Sequence, residues 1–390
     1  MNDPVARIVI SGGGPVGLAC ALGLAREGIR SVVLEKTSAP TQYARAGVLL
    51  SRTLEIFRSW DMIDDVRAAG ISPEVLQICD ARDERILGEI DFSLLRGRTL
   101  EPRPVFLPQQ KTEGILREHV LRTGLAELRF GHEVVDLAQV ADGVIVRVQP
   151  HGGDAYEIRA DYLVGADGAA SAVRSALGLK LLGETYQTRV MLALVRIDGC
   201  DGLPWPRFRF DVPQYLVALR AAPRLWRIVA SLHPEETDEV ALGRDAIARY
   251  VRLTLGDGPF EVAWASAFSI HRRHAARFAS GRVALAGDAA HLNSPVGGQG
   301  LNAGIADANV LAAVLTRALR EGDGEALLSA YDLERRTAIV KTTEAYTDRA
   351  TKLMLALPRS WRRPLFVAAG WLLRIPPVAR RLIATAMLLD

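Results

Sequence analysis

An α/β fold is predicted: a helix-flanked parallel sheet, an antiparallel sheet inserted into it, and a helical tail. Three observations carry this expectation. A glycine-rich turn, Gly12-Gly13-Gly14-Pro15-Val16-Gly17, separates an apolar strand pattern from a helical one. Far along the chain, Gly297-Gly298-Gln299-Gly300 follows another apolar strand and opens a long helical pattern. Between them, residues 183–270 are dominated by short alternating segments of strand character.

Taken in order, Arg7 to Ser11 reads as a strand, Gly12 to Gly17 as the turn, and Leu18 to Glu27 as a helix ended by Gly28. Ser31 to Glu35 completes a βαβ unit of Rossmann type. Residues 52–70 and Thr112 to Gly124 have helical periodicity, with Leu54, Phe57 and Ile63, then Ile115, Leu116 and Val120, as apolar stripes. Glu133 to Ala160 reads as a meander turning at Asp142-Gly143 and His151-Gly152-Gly153, and Asp161 to Gly165 as an apolar strand. In the middle region, Tyr186 to Ile197, Arg207 to Asp211, Gln214 to Arg220, Trp226 to Leu232 and Val262 to Ile270 are strand-like, and Asp238 to Leu255 reads as one amphipathic helix. Val283 to Ala286 is a strand, about Asn302 to Arg320 a helix, and the chain from Gly324 onwards is helical. The expected organisation is a discontinuous nucleotide-binding domain, 1–182 and 271–345, a sheet domain, 183–270, and a helical tail, 346–390.

The chain of 390 residues is 49% hydrophobic and 24% charged, an ordinary globular balance. A net charge of +3 gives no argument for nucleic acid as a partner, and no recognition motif for one is present. Cys20, Cys79 and Cys200 are widely spaced and form no ligand cluster, so a reducing cytoplasm and no structural metal are expected. The N-terminus lacks the basic and apolar regions of a signal peptide, and no apolar run has the length of a spanning helix.

The motifs give the chemistry. In Gly12-x-Gly14-x-x-Gly17, the first glycine allows the tight turn, the second lets backbone approach a pyrophosphate, and the third permits close helix packing. Glu35 ends the next strand at the position of a carboxylate for an adenosine ribose. A glycine-rich turn in an unrelated α/β protein is the plainer alternative, and the motif alone fits NAD and FAD equally. Asp288, at the end of the later strand, suits ribose-like hydroxyls, and glycines at a helix start suit an electron-rich ligand.

A third motif narrows the choice. Asp161 to Arg174, DYLVGADGAASAVR, pairs an apolar strand with Asp167-Gly168 and then Ser171 and Arg174. With GGGPVG at 12–17, DGAASAVR at 167–174 and GDAAHLNSPVGGQGLN at 287–302, the chain resembles the FAD-dependent aromatic hydroxylases. These are single-component flavoprotein monooxygenases of the para-hydroxybenzoate hydroxylase fold. The resemblance runs from about residue 5 to at least 350. It implies FAD as cofactor, NAD(P)H as transient reductant and O2 as co-substrate. It also implies hydroxylation of an aromatic or polyketide-like substrate through a flavin C4a-hydroperoxide.

Carried over residue by residue, the resemblance places Gly12, Gly14 and Gly17 at the pyrophosphate and Glu35 at the adenosine ribose. Arg45 falls near the ribityl–phosphate region, Gln109 (with Gln110 adjacent) near the ribityl chain, and Asp288 on a ribityl hydroxyl. Gly298, Leu301 and Asn302 would meet the isoalloxazine ring at a helix N-terminus, which stabilises the anionic reduced flavin. Asp167, Gly168 and Arg174 serve cofactor and nicotinamide nucleotide together. Pro295 and Gly297 are expected on the oxygen-transfer face. Tyr215 and Arg220 are the candidate substrate contacts, among Arg209, Trp226, His233, Tyr186 and His271, each of which reads equally as an ordinary sheet residue. No catalytic base is assigned. His291 is expected to shape its loop through a hydrogen bond.

The tail from Leu353 is apolar and basic, with Arg359, Arg362, Arg363, Arg374, Arg380 and Arg381. Helices packed on the FAD domain with snorkelling arginines are preferred over a weak membrane-surface contact. A monomer or a homodimer fits equally. Alternatives on the same scaffold are an alkene epoxidase, a prenyl-chain reductase or a halogenase, and a flavin-free binding protein. The halogenase WxWxIP signature is missing, and the intact Asp288 and GGQGLN loop argue against the flavin-free protein.

Overall fold

The computed structural model describes residues 6–40 and 47–389. Arg45 therefore lies outside the described residues. Among them, two sheets of eight strands each organise the chain. The first is parallel at its centre, in the order Val283–Leu285, Tyr156–Gly165, Ala6–Ser11, Ser31–Glu35, Ala126–Phe130. Its central strands are apolar and buried at Ile8–Ile10, Val32–Leu34, Leu163–Val164 and Val283–Leu285, where helices cover them. Pro15–Arg26 and Gln299–Glu321 pack on each other so closely that a Cβ on Gly23 would lie 2.7 Å from that of Ala312.

Several elements differ from their sequence patterns for local reasons. Residues 52–70 form two helices, Ser51–Ser59 and Ile63–Ala69, because Asp61 takes a left-handed conformation (φ 57°) between them. Asp238 to Leu255 is likewise split, into Asp238–Leu242 and Arg244–Leu255, at an extended Gly243. The end of the meander and the apolar strand after it are one strand, Tyr156–Gly165. Its first half pairs antiparallel with Gly143–Pro150, and it pairs in parallel with Ala6–Ser11 and Val283–Leu285.

The second sheet runs His291–Leu292, Phe260–Ala275, Leu181–Ile197, Leu225–Ser231, Leu216–Ala222, Arg207–Arg209, Val75–Asp80, Arg85–Asp91. The last two strands carry no strand expectation from the sequence. They extend the sheet from a segment that ends at Asp91, 90 residues before the next strand of that sheet begins at Leu181. The two longest strands, Leu181–Ile197 and Phe260–Ala275, reach further toward the first sheet than their patterns suggest. Alternation gives this sheet two faces. One, with Met191, Ala193, Trp226, Ile228 and Ala218, is buried under Ile247, Tyr250, Val251 and Leu255 of the helix Arg244–Leu255. The other carries Tyr215, Val217, Arg227, Val229 and Leu192. The tail forms three helices, Ala345–Ala356, Arg359–Leu372 and Pro376–Ala386.

Candidate active site

Three neighbouring parallel strands end side by side at Ser11, Gly165 and Leu285. Ligands of open α/β sheets bind beyond such carboxyl ends. The Ala166 N–H donates to the Ser11 carbonyl (2.8 Å) and the Ala286 N–H to the Gly165 carbonyl (2.9 Å), so all three sequence motifs start from one line. Gly12 has φ +108°, and a Cβ on it would lie 2.3 Å from the Ala166 oxygen. A Cβ on Gly17 would lie 1.9 Å from the Gly12 oxygen, which explains the close helix approach. Gly14 is different: nothing lies within 4 Å of where its Cβ would be. It begins the helix Pro15–Arg26, which no side chain caps, so space and helix-end N–H groups coincide there. Glu35 accepts from the Gly13 N–H (2.8 Å) and from the N–H and hydroxyl of Thr37 (2.9 Å each), fixing its carboxylate beside the turn.

The second and third motifs are tied to each other. Arg174 is buried and donates to the carbonyls of Ala289 (3.0 Å) and Ala169 (2.8 Å), while Ser171 caps its short helix. Burial lowers the Arg174 pKa and neighbouring Asp167 opposes the shift. Asp167 Oδ2 accepts from the Val173 N–H (3.2 Å), and its Oδ1 is buried with no partner among the described residues. Asp288 is exposed at the end of its strand. Behind it, fully buried Asp307 accepts from the Gly287 N–H (3.1 Å), bonds His291 Nε2 (2.7 Å) and accepts from Arg335 Nε (2.8 Å). Burial alone would raise the Asp307 pKa, but His291 and Arg335 outweigh it and hold the carboxylate below its usual range. His291 thus holds its loop through a hydrogen bond.

The glycine-rich loop turns sharply through Gly297 (φ +81°) and Gly298 (φ +65°) into the helix Gln299–Glu321. No side chain caps this helix either. The Asn302 side chain accepts from the Leu50 N–H (2.8 Å) and donates to the carbonyls of Val48 (3.0 Å) and Gly298 (2.7 Å), stapling a remote segment to the helix start. A Cβ on Gly298 would lie 2.3 Å from Val48 Cγ1. Leu301 is half-buried, and Pro295 and Gly297 are exposed. Gln109 donates to the Glu113 carboxylate (2.8 Å), whereas Gln110 Oε1 and both ends of the Gln299 amide are buried and without hydrogen-bond partners.

The predicted substrate residues separate. Tyr215 lines an apolar cavity of about 260 Å³ with Ile78, Phe208 and Phe210 from the sheet and Met354, Leu357 and Phe366 from the tail. Burial pushes its phenol well above the ordinary range, so it is a neutral O–H donor. Arg220 is a correction: it stands on the opposite, helix-covered face beside Trp226 and pairs with Asp201 (3.3 Å). The period of two of a strand accounts for this, since Tyr215 and Arg220 are an odd number of residues apart. Arg209 borders the cavity but is paired with Asp211 (2.6 Å). Tyr186 donates to Asp348, His271 bonds Thr185 (2.9 Å), and His233 is exposed.

Two features were not anticipated from the sequence. The tail helix Ala345–Ala356 joins cavity and glycine loop: Tyr346 would meet a Cβ on Gly297 at 3.0 Å, and Thr351 donates to Ser294 (2.5 Å). Arg227 shares the Tyr215 face, and a Cβ on Gly47 would lie 2.1 Å from its guanidinium. Burial pushes Arg227 down to about 10. The alternation Trp226-Arg227-Ile228 within a strand was the signal that could have found it.

The chain matches a family described as FAD binding domain over residues 5–346. It belongs to that family. It is 34% identical over 343 residues to 6-hydroxy-3-succinoylpyridine 3-monooxygenase of Pseudomonas putida, covering 86% of this chain and 85% of that one. It is 33% identical over 355 residues to the 12-dehydrotetracycline 5-monooxygenase/anhydrotetracycline 6-monooxygenase of Streptomyces rimosus, covering 87% and 68%. The crystal structure of p-nitrophenol 4-monooxygenase from Pseudomonas putida superposes with a TM-score of 0.89 at 28% identity, over 97% of this chain and 96% of that one. The chain is an FAD-dependent monooxygenase, an oxidoreductase using NAD(P)H and O2. These relatives support flavin-dependent hydroxylation and not the epoxidase, reductase, halogenase or flavin-free alternatives. The cradle fits the cofactor: two uncapped helix starts, open space at Gly14, and orphaned polar atoms on Asp167, Gln110 and Gln299.

Proposed function

We propose that this monooxygenase hydroxylates an aromatic or polyketide substrate held between the Tyr215 face of the second sheet and the tail helices. The observation that carries the reading is the apolar cavity beside the glycine loop, joined to it by one helix, Ala345–Ala356. In this reading Gly12, Gly14 and Gly17 admit the pyrophosphate at the start of Pro15–Arg26, and Glu35 takes the adenosine ribose. Asp288 accepts from a ribityl hydroxyl. Leu301 and Asn302, in the first turn after Gly298, present backbone N–H groups to the ring, and the Asn302 side chain keeps that helix start in place. FAD, once bound and reduced, supplies the activation of O2 for transfer of one oxygen atom.

The remaining work is positioning and exclusion of water. The cavity walls are almost entirely carbon, so they favour a flat apolar substrate and leave its polar groups to few partners. Tyr215 offers an O–H donor, and Pro295 and Gly297 leave room on the reacting side. Residues 1–182 and 271–345 are assigned to FAD binding and 183–270 to the substrate. Strands Val75–Asp80 and Arg85–Asp91 and the first two tail helices complete the substrate side.

The test is a panel of phenols and polyketides in which NAD(P)H consumption and peroxide release are followed together. A true substrate accelerates consumption and suppresses peroxide. Consumption that no panel member accelerates, or that appears wholly as peroxide, would count against the substrate class.

A further inference from the structure

The helix Arg359–Leu372 buries one side and leaves an apolar stripe on the other. Its inner side carries Phe366, at the cavity, and Gly370, where a Cβ would lie 1.9 Å from the Leu87 oxygen. Its outer side carries Trp361, Pro364, Ala368, Trp371 and then Ile375, in steps of three and four residues, all exposed. The two indoles are 65% and 63% exposed, and Leu372, Ile375 and Leu382 extend the patch onto the next helix. Single exposed apolar residues need no explanation, but a continuous stripe of this kind does.

The charge around the stripe has one sign. Arg359, Arg374, Arg380 and Arg381 are exposed and have no acid within ion-pair distance among the described residues. Arg374 lies 4.6 Å from the Trp371 ring centre, at the edge of the patch. By contrast, Arg363 on the same helix is spent on Asp80 (2.7 Å) and Asp83 (2.8 Å), and Arg362 on the carbonyls of Val212, Pro213 and Gln214. No acidic residue occurs from Leu353 to Leu389. A second copy docked on this face would bring unpaired arginines together, whereas anionic lipid headgroups would neutralise them. No helix among the described residues is long and apolar enough to cross a membrane.

We propose that the outer face of Arg359–Leu372 and Pro376–Ala386 rests on an anionic lipid bilayer, with Trp361, Trp371 and Ile375 in the headgroup–acyl boundary and Arg374, Arg380 and Arg381 on the phosphates. The inner side of the same helix roofs the apolar cavity, so one helix separates the bilayer from the cavity. The proposal does not depend on the substrate assignment, because vesicle binding is read without turnover.

The experiment is co-sedimentation of the full FAD-loaded chain with vesicles of phosphatidylcholine alone and of equimolar phosphatidylcholine and phosphatidylglycerol. Brominated-tail lipids serve as indole quenchers. Binding to the anionic vesicles, little to the neutral ones, and a loss of binding with rising salt are expected. Arg380→Gln with Arg381→Gln lowers the partition constant about thirtyfold at low salt. Trp361→Ser with Trp371→Ser removes the quenching, with flavin content and circular dichroism unchanged. Protein that stays in the supernatant with both vesicles overturns the proposal. So does an arginine variant that sediments like the parent. A concentration-dependent dimer abolished by Trp371→Ser would assign the stripe to a second copy instead.

Discussion

Replacing Asp307 by Asn tests whether the strand end carrying Asp288 is held from behind by charge. The carboxylate receives the Gly287 N–H, His291 Nε2 and Arg335 Nε, and all its oxygen surface is buried. The amide has the same shape but only one acceptor oxygen, so its NH2 must face one of these donors. Removing one partner from a buried ion pair costs about 3–5 kcal/mol, well above the roughly 1 kcal/mol of a neutral hydrogen bond. With an unfolding entropy of about 2.1 cal/mol/K per residue, 390 residues give about 0.8 kcal/mol/K, so Tm falls by about 4–6 °C. Thermal unfolding of the holoenzyme followed by circular dichroism measures this. The sign with pH follows from the depressed Asp307 pKa. Its contribution is present above the unfolded carboxylate value of about 4 and is lost as pH falls through the lower folded value. The gap between parent and variant should therefore be full at neutral pH and narrow in acid. A Tm change under about 1 °C, or a gap that grows on acidification, would refute the bracing argument.

Other perturbations separate flavin binding from folding. Asp288→Ala should remain folded and purify with much less FAD, read from the flavin absorbance per chain. Gly14→Val places its side chain in open space with an extended backbone, so stability should hold within about 0.5 kcal/mol while FAD affinity falls. Gly17→Ala should do the reverse first, because its Cβ meets the Gly12 carbonyl at 1.9 Å; a loss of about 1–3 kcal/mol in urea unfolding is expected. Phe366→Ala opens the cavity roof and should raise KM and the share of NAD(P)H diverted to peroxide, while Tyr215→Phe should alter coupling with flavin content unchanged.

The backbone of the glycine motifs was legible because glycines report backbone demands locally. Gly12 and Gly17 are where a Cβ meets a carbonyl, and Gly297 and Gly298 are where φ is positive, so sequence and geometry coincide residue by residue. The substrate half was less so. Strands Val75–Asp80 and Arg85–Asp91 bury only alternate or clustered positions and are joined by a charged hairpin, so nothing local announces which sheet they extend. The cavity roof is a tertiary fact: Met354, Leu357 and Phe366 look like any amphipathic stripe until the helices are placed over Tyr215. Arg220 was paired with Tyr215 as a substrate contact, although the period of two puts the two residues on opposite faces of the sheet.

The convergence of three glycine-bearing motifs on one FAD is tested most directly by flavin stoichiometry. FAD released on heat denaturation, divided by chain concentration, should approach one for the parent and for Tyr215→Phe, and fall steeply for Gly14→Val and Asp288→Ala. A parent chain that neither carries nor takes up FAD, or a Gly14→Val chain that holds it at full occupancy, would contradict the account.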